Sequence, residues 1–169
     1  MVRAMIRNVI VALSMTLVLA AACGPSAQPT CTGATCACNG SDCACVGGAS
    51  CDVQCGIFPR CVPSCTSVTT CNFECRDDCT AKCNAGDTCK MQCGNNCTYD
   101  CSNSKACNVT AGSDATIDCS NVGTCDVTCT SGACKVACAG AGSCNVKCGD
   151  GTDPATCADG TTKACGGGC

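Results

Sequence analysis

The 169-residue sequence has no histidine and no tryptophan, one tyrosine, two phenylalanines and a single glutamate, Glu74. Without histidine the commonest general base is missing, and no nucleophile–base pair can be assembled from what remains. The aspartates converge on no shared position, so the composition points to a non-catalytic chain without a cofactor motif. Leucine occurs only at 13, 17 and 19, and from residue 23 onward Ile, Val and Phe total 13 of 147 residues. That is far below what a chain needs to bury a conventional apolar core. No apolar run approaches the length of a membrane-spanning helix. Left uncrosslinked, such a chain is expected to stay unfolded.

What the sequence has instead is 29 cysteines. Between Cys51 and Cys148 they frame a repeated five-residue unit of cysteine, polar, apolar, polar, cysteine. It reads CDVQC at 51–55, CVPSC at 61–65, CNFEC at 71–75, CTAKC at 79–83, CKMQC at 89–93 and CTYDC at 97–101. It resumes as CDVTC at 125–129, CKVAC at 134–138 and CNVKC at 144–148, with half-units CNVTA at 107–111 and ATIDC at 115–119 between. Period-two alternation predicts short strands that bury the Cys–apolar–Cys face. The connectors alternate between short ones (RDD, GNN, GSD, TSGA) and five-residue ones (NAGDT, SNSKA, SNVGT, AGAGS) and supply turn residues. Unit starts at 61, 79, 97 and 115 recur every 18 residues, as do those at 71, 89, 107 and 125. Two strands per 18-residue coil predict an all-β, disulfide-laddered solenoid with little regular hydrophobic core. Across each flattened coil Phe73 should face Ala81, Met91 should face Tyr99, and Val109 should face Ile117.

Two cysteines four apart on a strand lie about 13 Å apart, beyond the reach of a disulfide. The second cysteine of one strand can instead meet the first of the next, across the turn. Ala111 and Ala115 replace both cysteines that flank one turn, the pattern expected if those two positions normally pair. Pairing in order from Cys31 predicts Cys31–Cys36, Cys38–Cys43, Cys45–Cys51, Cys55–Cys61, Cys65–Cys71, Cys75–Cys79 and Cys83–Cys89. It continues with Cys93–Cys97, Cys101–Cys107, Cys119–Cys125, Cys129–Cys134, Cys138–Cys144, Cys148–Cys157 and Cys165–Cys169. The rival scheme bonds neighbouring coils vertically, and sequence alone leaves it open.

Residues 1–22 have the form of a targeting segment: Arg3 and Arg7, an apolar run from Val9 to Leu19, then Ala20 to Ala22. With Cys23 and Gly24 following, this segment resembles a bacterial lipoprotein signal, although Leu19 stands four rather than three residues before the cysteine. The resemblance implies acylation of Cys23, outer-membrane routing and a membrane partner reached through the lipid. Ordinary cleavage after Ala22 is the alternative. Lipidation would leave 28 cysteines, an even number. Residues 23–30 would be a lipidated tether, 31–50 an N-terminal cysteine-rich cap, 51–148 the solenoid and 149–169 an irregular C-terminal cap. Cys43 stands 18 before Cys61, which predicts that the coil register starts there with Cys45 at an apolar centre. From residue 23 on, 8 Lys and Arg face 13 Asp and Glu, a balance of −5 that argues against nucleic acid as a partner.

Contact residues are hard to find. The apolar connector Gly56–Arg60, with Ile57, Phe58 and Arg60, is either a partner-contact loop or a flap over the open end of the solenoid. Asp77, Asp78, Asp150, Asp153 and Asp159 are weak calcium candidates, solvated turn residues being the commoner reading. The CAC pairs at 36–38 and 43–45 also fit metal–thiolate spacing, but disulfides, and so no metal, are the expected state in an exported chain.

Over residues 51–148 the disulfide-braced coils resemble beetle antifreeze proteins, which would imply an ice-binding face of two threonine ranks. Here Thr80, Thr98 and Thr116 would form one rank and Thr70, Thr88 and Thr124 another, but two residues beyond the first rank stand Lys82, Asp100 and Asp118. The chain also resembles uncharacterised cysteine-rich repeat lipoproteins of Gram-negative bacteria. A cell-envelope-anchored structural or adhesive module with an unknown envelope or matrix partner is the expected function. A metal-sequestering thiolate protein and an ice-binding protein are the alternatives.

Overall fold

The computed structural model describes residues 28–169 except 34, 58, 59 and 85. The targeting segment and Cys23 lie outside the described residues. Every regular element among these residues is a strand: β1 (Thr30–Gly33), β2 (Cys36–Asn39), β3 (Asp42–Val46), β4 (Ser50–Gln54), β5 (Val62–Thr66), β6 (Thr70–Glu74), β7 (Thr80–Asn84) and β8 (Thr88–Gln92). The rest are β9 (Thr98–Asp100), β10 (Ala106–Ala111), β11 (Ala115–Asp118), β12 (Thr124–Cys129), β13 (Cys134–Ala137), β14 (Ser143–Cys148), β15 (Ala155–Thr156) and β16 (Thr162–Cys165). They form a seven-stranded sheet ordered β1-β4-β6-β8-β10-β12-β14 and a nine-stranded sheet ordered β15-β16-β13-β11-β9-β7-β5-β3-β2. From β3 to β14 the chain alternates between the two sheets, and each strand stacks in parallel on its counterpart one coil earlier. This is the β-solenoid that the period of 18 describes.

The alternation decides what is inside. In the register Cys51–Cys71–Cys89–Cys107–Cys125–Cys144 each cysteine sits on the next, and the first five of them are fully buried. Beside them runs the apolar file Val53–Phe73–Met91–Val109–Val127–Val146. Phe73 was expected to face Ala81. Its ring meets Tyr99 edge-on at 6.1 Å and 83°, because Tyr99 is the strand neighbour of Ala81 and the small residue leaves room for a large one from the other sheet.

A second interior file was not anticipated. Val68 and Val122, the middle residues of two five-residue connectors, are buried, and Ser104, the middle of a third, is 3% exposed. The Ser104 hydroxyl donates to the Cys101 carbonyl at 2.8 Å, which satisfies it locally. The wider turns therefore contribute to the core instead of merely reversing the chain.

Fourteen disulfides run along the two edges of the solenoid. Those at the wider turns are Cys45–Cys51, Cys65–Cys71, Cys83–Cys89, Cys101–Cys107, Cys119–Cys125 and Cys138–Cys144. The opposite edge carries Cys55–Cys61, Cys75–Cys79, Cys93–Cys97 and Cys129–Cys134. Cys31–Cys36 and Cys38–Cys43 lie in the N-terminal cap. The final two pairings differ from the expected order. Cys148 bonds Cys165 rather than Cys157, and Cys169 bonds Cys157 rather than Cys165. The reason is β16, which runs antiparallel to β13 and places Cys165 on Cys134, while Cys148 stacks on Cys129. Cys148–Cys165 is thus the next rung above Cys129–Cys134, closed by a strand of reversed direction.

The rung that is missing lies in the same ladder. Ala111 stacks under Cys129 and Ala115 under Cys134, both nearly fully buried. The double substitution Ala111→Cys with Ala115→Cys is expected to close a fifteenth disulfide and raise stability by about 2 kcal/mol, the chain-entropy value for so short a loop. Peptide mapping and a thiol count check it; two free thiols in the folded variant would contradict the stacking.

The shorter turns are set by left-handed residues and by hydrogen bonds from one coil to the next. Asp78, Asn96, Asp114 and Gly132 occupy equivalent left-handed positions, with φ of 55°, 54°, 56° and 60°, where Asn, Asp and Gly are tolerated best. Asn95 donates its N–H to Asp77 Oδ1 at 2.6 Å, and its own Oδ1 accepts from the Ser113 N–H and hydroxyl at 2.9 and 2.8 Å. Just before, Gly112 has no room for a side chain: a Cβ would lie 2.6 Å from the Gly94 carbonyl oxygen.

The ends are closed by reversed strands. At the N-terminal end β1 lies antiparallel on β4, and β2 on β3. The register starts differently from expectation, since Cys45 stacks on Cys65 and Cys43 on Pro63. The longer Gly56–Arg60 connector makes this step 20 residues, which moves Cys43 to the centre. At the C-terminal end β16 and β15 cover the nine-stranded sheet, while β14 has β12 as its one strand neighbour. Lys163 Nζ reaches over and donates to the Cys144 carbonyl at 2.6 Å, a charged block on an otherwise open edge.

Tyr99 is the one defect in the interior. Its hydroxyl is buried without a hydrogen-bond partner among the described residues. Burial, helped by the Asp100 charge, holds that hydroxyl protonated far above its ordinary range. Tyr99→Phe removes the unsatisfied group and keeps the ring, so a gain of about 1–2 kcal/mol is expected in denaturant melts of the oxidised protein.

Candidate functional site

The outward residues of the seven-stranded sheet build an open concavity. One rank runs Asp52–Asn72–Lys90–Asn108–Asp126–Asn145, and a second runs Gln54–Glu74–Gln92–Thr110–Thr128–Lys147. All of them but Asn145 and Lys147 line an open groove of about 490 Å³ that spans β4 to β12. Residues within a rank repeat at about the 4.8 Å strand spacing, and the two ranks stand about 7 Å apart along the strand. Asn72 Nδ2 donates to Asp52 Oδ1 at 2.5 Å and Asn145 Nδ2 to Asp126 Oδ1 at 2.9 Å. These contacts tie two of the five steps of the first rank. Amides, carboxylates, hydroxyls and ammonium groups on a fixed lattice can exchange hydrogen bonds with a polar chain laid across the coils. The same positions are the polar letters of the sequence unit, so the signal was present, but nothing in the sequence shows that this sheet rather than the other is the concave one.

Ile57 of the predicted contact loop borders this groove, next to Gln54 and Glu74. Ile57 is exposed and lines a shallow depression with Gln54, Glu74 and Arg76 on the lateral edge. Arg60 is exposed, with a left-handed φ of 61°, and Phe58 is outside the described residues. At the N-terminal end of the seven-stranded sheet it is β1 that lies on β4.

Two of the weak calcium candidates are engaged locally. Asp150 Oδ1 accepts from the Thr152 N–H and hydroxyl, which lower its pKa. The Thr162 hydroxyl and N–H, with the Thr161 N–H, hold Asp159 down at about 2. The threonine ranks stack as counted: Thr80–Thr98–Thr116, and Thr70–Thr88 followed by Ala106 and Thr124. Alongside the first run Lys82, Asp100 and Asp118. Two sulfur groups have metal-ligand proximity, Cys36 with Cys45 and Cys51, and Cys55 with Cys75 and Cys79, but every one of these sulfurs is in a disulfide. No protein-family model matches the chain, and no curated protein or solved structure matches it either.

Proposed function

We propose that this chain is an exported, non-catalytic binding module, tethered to the bacterial envelope through acylated Cys23, that presents a rigid polar face to an extended envelope or matrix component. The observation that carries the binding half is the groove of the seven-stranded sheet. Its side chains stand on backbone positions fixed by parallel stacking. Hydrogen bonds tie Asp52 to Asn72 and Asp126 to Asn145, which lowers the side-chain entropy lost on binding at those residues. The anchor half rests on the signal-like segment 1–22 and on Cys23–Gly24. The disulfides provide what an exposed exported module needs, a fold that survives without a large apolar core. The metal-sequestering alternative would require the paired sulfurs as thiolates, and ice binding would require a second threonine rank beside the first.

Two measurements test the two halves separately. Oxidised protein carrying Asn72→Ala, Asn108→Ala and Asp126→Ala together should lose at least tenfold of the parent's binding to envelope and matrix fractions, as should a reduced and alkylated control. Equal recovery by all three removes the groove from consideration. Metabolic fatty-acid labelling should mark the parent and miss Cys23→Ala; an unlabelled parent ends the anchor reading.

A further inference from the structure

We propose that the N-terminal cap is a thiol–disulfide exchange site whose substrate is an external dithiol, small or protein-borne, which enters at Cys31–Cys36 and transfers the bond to Cys36–Cys45. Cys36 is bonded to Cys31, yet its Sγ lies 2.9 Å from Cys45 Sγ and 3.9 Å from Cys51 Sγ. The partner of Cys45 is Cys51, so two separate disulfides meet at one point. The backbone explains the meeting. On the antiparallel pair β2–β3, Cys36 stands directly opposite Cys45 and Cys38 directly opposite Cys43. The second of these pairs is already bridged between the strands, with Cα atoms 4.0 Å apart. Pairs two residues apart on such a ladder are of the same geometric type, so a Cys36–Cys45 bridge needs side-chain rotation and no change of register.

Access singles out this place. Cys31 and Cys36 are half-buried, so a thiolate from solvent can reach them. Cys55 Sγ and Cys75 Sγ also approach to 3.4 Å across two rungs, but both residues are buried and closed to an outside thiol.

The chemistry balances as follows. One thiolate of the dithiol attacks Cys31 Sγ, the Cys31–Cys36 bond breaks and Cys36 Sγ leaves with the electron pair. The Cys36 thiolate attacks Cys45 Sγ; the Cys36–Cys45 bond forms as Cys45–Cys51 breaks, and Cys51 leaves as a thiolate that takes up a proton. The second thiol of the dithiol then displaces Cys31 from the mixed disulfide. The dithiol is oxidised by two electrons, and the protein holds one disulfide fewer, with thiols at Cys31 and Cys51. Two ties are lost together, the one joining β1 to β2 and the one closing the first coil between β3 and β4. That leaves β1 held to β4 by its backbone ladder alone, so the dithiol loosens the cover of the seven-stranded sheet.

The test needs no reductant at first. In the full-length oxidised variant Cys31→Ser, Cys36 is left without its partner, and peptide mapping after acid quench and alkylation should find the label on Cys51 and a Cys36–Cys45 crosslink. In Cys51→Ser the label should fall on Cys31, again with Cys36–Cys45. Labels on Cys36 in the first variant and on Cys45 in the second overturn the proposal. Should the variants fail to fold, the parent treated with one equivalent of dithiothreitol decides. Among Cys31, Cys36, Cys45 and Cys51, label on Cys31 and Cys51 supports exchange. Label on Cys31 and Cys36, or on none of the four, rejects it.

Discussion

Reduction and alkylation of all fourteen disulfides is expected to abolish the fold outright, with complete loss of the β signal in far-ultraviolet circular dichroism. Two sequence facts make the effect total. The interior of this solenoid is made largely of cysteine itself, with one apolar residue between two cysteines on most strands. The chain after residue 23 has only 13 Ile, Val and Phe residues and no leucine. Folding must order well over a hundred residues, each costing on the order of 1–2 kcal/mol of backbone entropy, and so small an apolar content cannot offset that. Each short disulfide loop removes about 2 kcal/mol of that cost from the unfolded state, although such contributions do not add simply. Alkylation also forces bulky groups into a packed file of sulfurs. Retention of a native-like spectrum after complete alkylation would show that the backbone ladders alone hold the coils.

Phe73→Ala is expected to cost about 3–5 kcal/mol, the range for removing a buried aromatic ring. Phe73 is 2% exposed, lies between Val53 and Met91 in its own sheet and packs edge-on against Tyr99 of the other. Its loss leaves a cavity that Ala81 is too small to fill, and the crosslinked edges prevent the sheets from collapsing together. Because the disulfides hold the chain topology, the effect should appear as faster amide exchange concentrated in β6, β8 and β9. A uniform change over all six coils, or none, would mean that Phe73 does not bridge the sheets. Val127→Ala, which removes less volume from a similarly buried position, should shift exchange by a smaller amount and in its own coil.

How far the candidate site could be read in advance follows from the same residues. The polar letters of the repeat, such as Asn72, Lys90 and Asn108, were visible as outward positions from their period of two. Their assembly into a groove depends on the coil-to-coil stacking of β4 to β12, which no local spacing encodes. Ile57 and Arg60 were singled out for being apolar and cationic in a polar connector. The structure leaves Ile57 beside Gln54, Glu74 and Arg76, at the border of the groove that Gln54 and Glu74 also line.

Sequence by itself determined the repeating part of this protein. Strand and coil length follow from the period of two and the period of 18, and two cysteines of one strand are too far apart to bond each other. That the rungs span the turns and do not join neighbouring coils was decided by the structure. The paired alanines Ala111 and Ala115 favour that scheme without settling it. Only the tertiary structure decided what happens where the repeat stops. Strands β1, β2 and β16 turn back antiparallel on the ends, and that reversal brings Cys165 rather than Cys157 to Cys148 and sets Cys36 against Cys45. It also placed Val68 and Val122 inside the wide turns. These outcomes depend on the direction in which a segment docks on a surface built by distant residues, and chain order carries no information about direction once the period is lost.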